Sequence, residues 1–114
     1  MSTFFGFGLA DSMFVGDVVV TRTGISVERA RGILAEGAEI CLNPSHAETI
    51  RVMRTRFGVN VEIPARAPVI RLVPGDRLLL LAVSGLPRLE GRHEYTRAEI
   101  DAAVFRFALY EVER

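Results

Sequence analysis

Residues 78–83 read LLLLAV, an unbroken apolar run that follows the sequence Pro74-Gly75-Asp76. A run that is apolar at every position has no polar face, which is typical of a strand buried on both sides of an α/β sheet. The Pro, Gly and Asp before it favour a turn, and so mark where the strand begins. The run is also much shorter than the roughly 20 apolar residues that span a bilayer. We therefore predict the central strand of a sheet at 78–83.

Further strands are predicted on both sides of this one. They are short apolar or β-branched stretches bounded by Gly, Pro or polar residues, at 3–9, 18–22, 39–42, 69–73 and 104–112. No linker, repeat or low-complexity tract divides the chain. These features predict an α/β fold in which a mixed β-sheet of about five strands is flanked by helices, within a single domain that spans residues 1–114.

Three helices have residues that suit helix ends. The first two begin at an N-cap Ser and end at a Gly, and a Thr-x-x-Glu capping box opens the third. They run from Ser26 to Gly37, from Ser45 to Gly58 and onward from Thr96.

Charge and composition limit the partners that we expect. The 14 basic and 14 acidic residues leave no net charge, which disfavours broad binding to duplex nucleic acid. All basic residues are Arg, which suits bidentate phosphate recognition, although codon bias in a GC-rich genome explains the same usage. The apolar fraction of 49% is high for a soluble domain, so we expect a homodimer to cover part of it.

Cysteine usage and the N-terminal sequence limit the class of protein further. One cysteine and two histidines exclude an internal disulfide and argue against a structural zinc site. Cys41 is expected to be a small buried apolar side chain rather than a nucleophile. The first residues lack the basic start of a signal peptide, so we expect a cytoplasmic protein that does not enter a membrane.

The start of the second helix holds the first candidate for chemistry. With Ser45 as N-cap, His46 is the first helical residue, beside unpaired N–H groups and the positive end of the helix dipole. Such a terminus binds phosphate readily. At 100° per residue His46 also lies near the helix's apolar stripe, so it would face a cleft and suit a general acid. The alternative is a histidine with no role beyond the helix start.

Two further candidates carry Arg and Glu. Arg66 is the only polar side chain in the Pro-bounded segment 64–68, which we expect to be stiff and extended and suited to clamping a phosphate. Arg88 and Glu90 follow the central strand, where α/β sheets bind ligands, and an extended backbone would put both on one face. Ordinary solvated loop residues are the alternative in each case.

In this order, the segments resemble the viral anti-CRISPR ring nucleases of type III systems and related small CRISPR-associated ring nucleases. The similarity covers most of the chain. It is carried by ISVERA at 25–30, SHAET at 45–49, GVNV at 58–61, Arg66 before PVIRLVPGD at 68–76, and RLEG at 88–91.

The resemblance implies a symmetric homodimer that holds a cyclic tetra-adenylate second messenger on its two-fold axis. It implies cleavage without metal or cofactor, in which a ribose 2′-hydroxyl attacks its own phosphodiester and leaves linear products with 2′,3′-cyclic phosphate ends. Such an enzyme would switch off type III CRISPR signalling. His46 would protonate the departing 5′-oxygen, Arg66 and Arg88 would stabilise charge on the phosphate, and Glu90 would orient the hydroxyl.

The remaining ligand contacts implied by the resemblance are Ser12, Gly8, Ser45 and Ala47. The chain departs from the family in two places. Gly8 and Ala10 stand where the family has a small polar pair, and about two extra residues near 86–87 precede Arg88. These departures leave open a ligand ring of three or six nucleotides in place of four.

Two functions from other classes stay open beside the nuclease. The first is a sponge or sensor module that binds a cyclic nucleotide without cutting it. The second is a structural or interaction protein that has no nucleotide ligand.

Overall fold

The apolar run at 78–83 forms the middle strand of a five-stranded mixed sheet, as predicted. A computed structural model describes residues 2–42, 47–59, 61–66, 68–85 and 96–114, the side chains at 47, 48 and 100 excepted. Its strands are β1 (Thr3–Gly6), β2 (Val19–Ile25), β3 (Glu39–Ile40), β4 (Arg77–Ser84) and β5 (Val104–Glu113). Its helices are α1 (Val27–Glu36), α2 (Ala47–Phe57), α3 (Arg97–Ala102) and a short 3-10 helix at Asp11–Met13.

The strand order is β2-β5-β4-β1-β3. β1 lies between β3 and β4 and pairs with both in parallel, whereas β5 lies antiparallel between β2 and β4. Because parallel strands run in one direction, the carboxyl ends of β1, β3 and β4 meet at the same edge of the sheet. In open α/β sheets this is the edge where ligands bind.

Each face of the sheet is covered by its own hydrophobic core, which explains the unbroken apolar run. Leu79 and Leu81 face α1 and α2, while Leu78 and Leu80 face the opposite side. All four are buried. The buried members of the first core are Phe5, Ala30, Ile33, Leu42, Ile50, Met53, Val59, Leu79, Leu81, Phe107 and Leu109.

The prediction of a strand at 69–73 is wrong in one respect. The segment is extended and alternates as expected, with Ile70 and Leu72 buried and Val69 79% exposed. It packs across the second core instead of joining the sheet, and its one bridge is a parallel pairing of Leu72 with Phe14. The alternation reports which side chains are buried, but it does not report which backbone the segment pairs with.

The helix ends follow their sequence signals where the structure describes them. The Ser26 hydroxyl accepts a hydrogen bond from the Arg29 amide at 3.1 Å. Thr96 and Glu99 form the predicted reciprocal capping box, at 2.8 and 3.1 Å. The capping box expected at Ser45 lies outside the described residues. No helix in the described parts of the chain is long and apolar enough to cross a membrane.

The connector at 64–68 differs from the prediction. The chain bends at Ala65 and Arg66, so its described part is not straight. Proline restricts its own φ and the residue before it, but it leaves the next residues free to turn.

Asp76, a buried residue just before β4, joins three separate parts of the chain through its carboxylate and its backbone carbonyl. Asp76 is 8% exposed, and its two oxygens accept hydrogen bonds from the amides of Ser2 and Val73, both at 3.0 Å. The Asp76 backbone carbonyl also accepts from the amide of Val112 at 3.0 Å. The side chain thus fixes the turn at 74–76 against the start of β1.

We expect Asp76→Asn to destabilise the protein by about 1–3 kcal/mol. The substitution keeps the size of the side chain but turns one acceptor into a donor, which faces an amide N–H. Urea unfolding would measure the loss as a lower midpoint at an unchanged slope. The exposed Asp17→Asn is the matched control and should leave the midpoint unchanged. An equal midpoint for both variants would show that the clamp does not stabilise the fold.

Candidate functional site

A cavity of about 380 Å³ opens at the edge of the sheet where the parallel strands end. β1 and the residues after it supply one wall, the residues after β3 a second, and the end of β4 a third. α2 and the segments that cover the second core complete it. Its lining residues are Gly6, Phe7, Gly8, Met13, Cys41, Leu42, Thr49, Ile70, Leu81 and Val83.

The described lining of this edge cavity is almost entirely apolar. Thr49 contributes the one hydroxyl and Cys41 the one thiol, and no charged side chain is among the described residues that line it. Apolar walls with a few polar groups are typical of small-molecule sites.

Glycine at two lining positions keeps the cavity open. A Cβ at Gly6 would lie 3.9 Å from the Cδ1 atoms of Ile70 and Leu78 and 4.0 Å from the Cβ of Cys41. These are ordinary contact distances, so a small side chain fits the fold but occupies the floor of the cavity. A Cβ at Gly8 would meet nothing within 4 Å, which places Gly8 at the open side.

The predicted ligand residues distribute unevenly around this cavity. Gly8 lines it and Ala47 is the first residue of α2. Ser12 lies in the 3-10 helix with its side chain exposed, and it is not among the lining residues. Its carbonyl oxygen accepts from the Nη1 of Arg71 at 3.5 Å. Ser45 and His46 lie outside the described residues.

The remaining catalytic candidates also fall on undescribed positions, Arg88 and Glu90. Their described neighbours lie close to the cavity all the same. Leu42 and Thr49, on either side of 43–46, both line it. Val83 lines it two residues before Gly85, after which the described chain breaks until 96.

Arg66 lies at a second cleft. This cleft of about 680 Å³ lies beside β3 and is lined by Ala38, Glu39, Ile40, Glu62, Ile63, Pro64, Arg66 and Pro68. The Arg66 side chain is exposed, and the two cavities share no described lining residue. We predicted that Arg66 acts on the same ligand as His46. Within one chain, however, the described residues do not place Arg66 at the edge cavity.

Sequence reasoning did not find the apolar part of the site. Phe7, Met13, Ile70 and Val83 belong to the regular apolar pattern of their segments and look like ordinary core residues. Phe7 directly follows β1 and Val83 lies near the carboxyl end of β4, and this position is the one signal that could have singled them out; Met13 and Ile70 have no such signal.

These features define a single-domain α/β protein with a cavity at the carboxyl edge of its parallel strands. The same fold occurs in B116 of Sulfolobus turreted icosahedral virus, which matches with a TM-score of 0.71 over 97% of this chain and 99% of that chain. The two sequences are 15% identical, so the likeness shows a common fold. No protein-family model matches the chain, and no curated protein matches it in sequence.

Among the described residues, no group of three or more His, Cys, Asp or Glu side chains is placed to hold a metal ion.

Cys41 is the titratable group that the cavity perturbs most clearly. Burial, and then the nearby charge of Glu39, raise the pKa of its thiol from 9.0 to about 11. The Sγ donates to the Glu39 carbonyl oxygen at 3.6 Å. Cys41 is thus a neutral wall of the cavity, which agrees with its expected role as a small apolar side chain.

We expect the Cys41 thiol to react about tenfold more slowly in the folded protein than in the denatured chain at about pH 8. Only the thiolate attacks a disulfide reagent, and a pKa of about 11 in place of 9.0 reduces its population about a hundredfold, while the stronger nucleophilicity of the less acidic thiolate offsets about tenfold of that loss. The rate of DTNB reduction with and without urea measures the ratio. The folded rate should rise with pH up to the raised pKa. Equal rates in the two states would contradict a neutral, protected thiol.

Proposed function

We propose that this protein is a metal-independent ring nuclease that binds cyclic oligoadenylate, the tetra-adenylate ring first, and opens it to linear products. The supporting observation is topological. Gly8 lines the edge cavity just after β1, and in the sequence His46 follows β3 while Arg88 and Glu90 follow β4, the two strands that neighbour β1 in parallel. This is where an α/β sheet positions ligand-binding loops.

The proposed reaction is an internal transesterification. The ribose 2′-oxygen forms a bond to the adjacent phosphorus, and the bond from phosphorus to the 5′-oxygen breaks. The 2′-proton leaves to a base or to water, and His46 supplies a proton to the departing oxygen. The positive end of a helix disfavours the imidazolium, whereas a bound phosphodiester favours it, so His46 would become an acid when the ligand is present.

Arg88 and Glu90 would act from the connection after β4, as a cation on the phosphate and an acceptor for the hydroxyl. Preorganised donors at a developing charge contribute strongly to catalysis. Ser45, Ala47 and Ser12 would add ligand contacts. Ser12 is exposed and does not line the edge cavity.

Arg66 fits the proposal through a second copy of the chain. It lines a cleft apart from the edge cavity, so the Arg66 that acts together with a given His46 on the shared ligand would belong to the other protomer of a symmetric dimer. A two-fold axis makes each protomer contribute the same residues in exchange.

A non-catalytic sponge is the second candidate function, and one observation favours it. The described lining of the edge cavity holds no acid or base that is charged near neutral pH. Such a lining can bind a ligand, but it supplies no group that would cleave it. The two functions differ in whether linear products form.

We expect His46→Ala to lower the cleavage rate of cyclic tetra-adenylate by about 10²- to 10⁴-fold, the usual contribution of a general acid. Binding should persist, since the substitution removes a proton donor and no part of the described cavity. Chromatography of labelled ligand with chelator present measures both the linear products of cleavage and the ligand that stays bound to the protein. His93→Ala is the matched control, because the sequence gives His93 no role, and it should cleave normally.

Failure of the wild-type protein to cleave tri-, tetra- or hexa-adenylate rings at saturating concentration would contradict the nuclease proposal. Ring binding without products would instead establish the sponge.

We expect Arg66→Ala and His46→Ala proteins, each inactive alone, to regain activity when mixed. If Arg66 acts together with the His46 of the other protomer, each mixed dimer has one intact catalytic site of its two, and half of all dimers are mixed, which gives about a quarter of the wild-type rate after full exchange. The activity of the mixture, compared with the sum of the separate proteins, measures this. No gain in a mixture whose subunits have exchanged would show that Arg66 does not act across the dimer.

A further inference from the structure

We infer that the edge cavity holds a nucleobase of the ligand, with the phosphates kept outside it. The inference rests on the proposed function for the nature of the ligand, an adenine nucleotide. It assigns the apolar residues of the cavity, which carry no role in the proposed reaction, to base recognition.

The lining chemistry fits a neutral ring and not a phosphate. No charged side chain is among the described lining residues, and the thiol of Cys41 is neutral because its pKa is raised. A phosphate moved into such surroundings would lose its hydration without gaining a cation. A heteroaromatic base buries its faces there at little cost, and its edge can meet the hydroxyl of Thr49.

The size of the cavity fits one nucleoside and not the whole ring. Ligand cavities range from about 300 to 1,000 Å³, and this one, at about 380 Å³, lies at the lower end. One base of a cyclic oligonucleotide would enter while its backbone crosses the mouth, near Gly8.

Two lining side chains suit the face of a base. Phe7 meets Phe5 edge to face, with ring centroids 6.3 Å apart, so a buried neighbour holds its ring. Aromatic side chains stack on bases without regard to sequence. Met13 also lines the cavity. Its sulfur accepts a hydrogen bond from the Ala10 amide at 3.4 Å, and methionine side chains pack favourably against aromatic rings.

Gly6 sets the depth available to the base. A methyl group there would lie 3.9–4.0 Å from its neighbours, so Gly6→Ala leaves the fold intact and removes space from the floor. In an apolar cavity one such group changes discrimination by about tenfold or more. The residue at position 6 would thus determine which bases enter.

Methyl NMR of methionine-labelled protein tests the inference without relying on cleavage. The probe is adenosine, which has a base and no phosphate, and ribose 5-phosphate is its counterpart. Adenosine should shift the Met13 methyl resonance through the ring current of the base. It should change the Met53 methyl much less, since Met53 is fully buried in the core and is not among the lining residues. Met13→Leu assigns the resonance.

Gly6→Ala should weaken adenosine binding about tenfold. Gly24→Ala is the matched control, because a Cβ there meets nothing within 4 Å and Gly24 is not among the lining residues. Its affinity for adenosine should equal that of the wild-type protein.

The outcomes separate this inference from the nuclease proposal. A Met13 shift with adenosine and none with ribose 5-phosphate supports the base site, even in a protein that cuts no ring. An unchanged Met13 resonance at millimolar adenosine overturns the base site, even in a protein that cleaves cyclic tetra-adenylate. Equal shifts from ribose 5-phosphate would also overturn it, since the cavity would then accept a phosphate.

Discussion

Parallel pairing of β1 with both of its neighbours is the constraint on which the rest of the structure depends. Phe4 and Phe5 point to opposite sides of the sheet and are 8% and 0% exposed, so this short strand is held by two cores at once. Its pairing directs β3 and β4 the same way. The connections that leave these strands consequently start at one edge, and the cavity opens at that edge.

The cavity and the charged candidates divide the chemistry between them. Strand ends and covering segments supply the apolar lining, which includes Gly6 and Gly8. Of the charged candidates, His46, Arg88 and Glu90 belong in sequence to the connections after β3 and β4, and Arg66 lines a separate cleft. A ligand with flat neutral rings joined by charged linkers matches this division, because its two kinds of group need opposite surroundings.

Much of the fold could be predicted from local sequence, and the failures have physical reasons. Ser26 and Thr96 sit at helix starts because capping is a local hydrogen-bond pattern. The segment 69–73 was misassigned because its alternation fixes burial, whereas pairing depends on distant backbone. The polar candidates, His46, Arg88 and Glu90, were chosen by residue type and stay predictions, because they lie outside the described residues. The apolar lining was described by the structure alone, since Phe7 differs from a core phenylalanine only by its place in the sheet.

The position of β5 has a consequence for how the protein is made. This strand comes after all the others in the chain, yet it lies between β2 and β4. Until it leaves the ribosome, β2 has no partner and the open edge of β4 is free to pair with foreign strands. Sheet closure therefore waits on contacts between residues far apart in sequence, which slows folding. The nascent chain passes through a stage that favours chaperone binding before its sheet is complete.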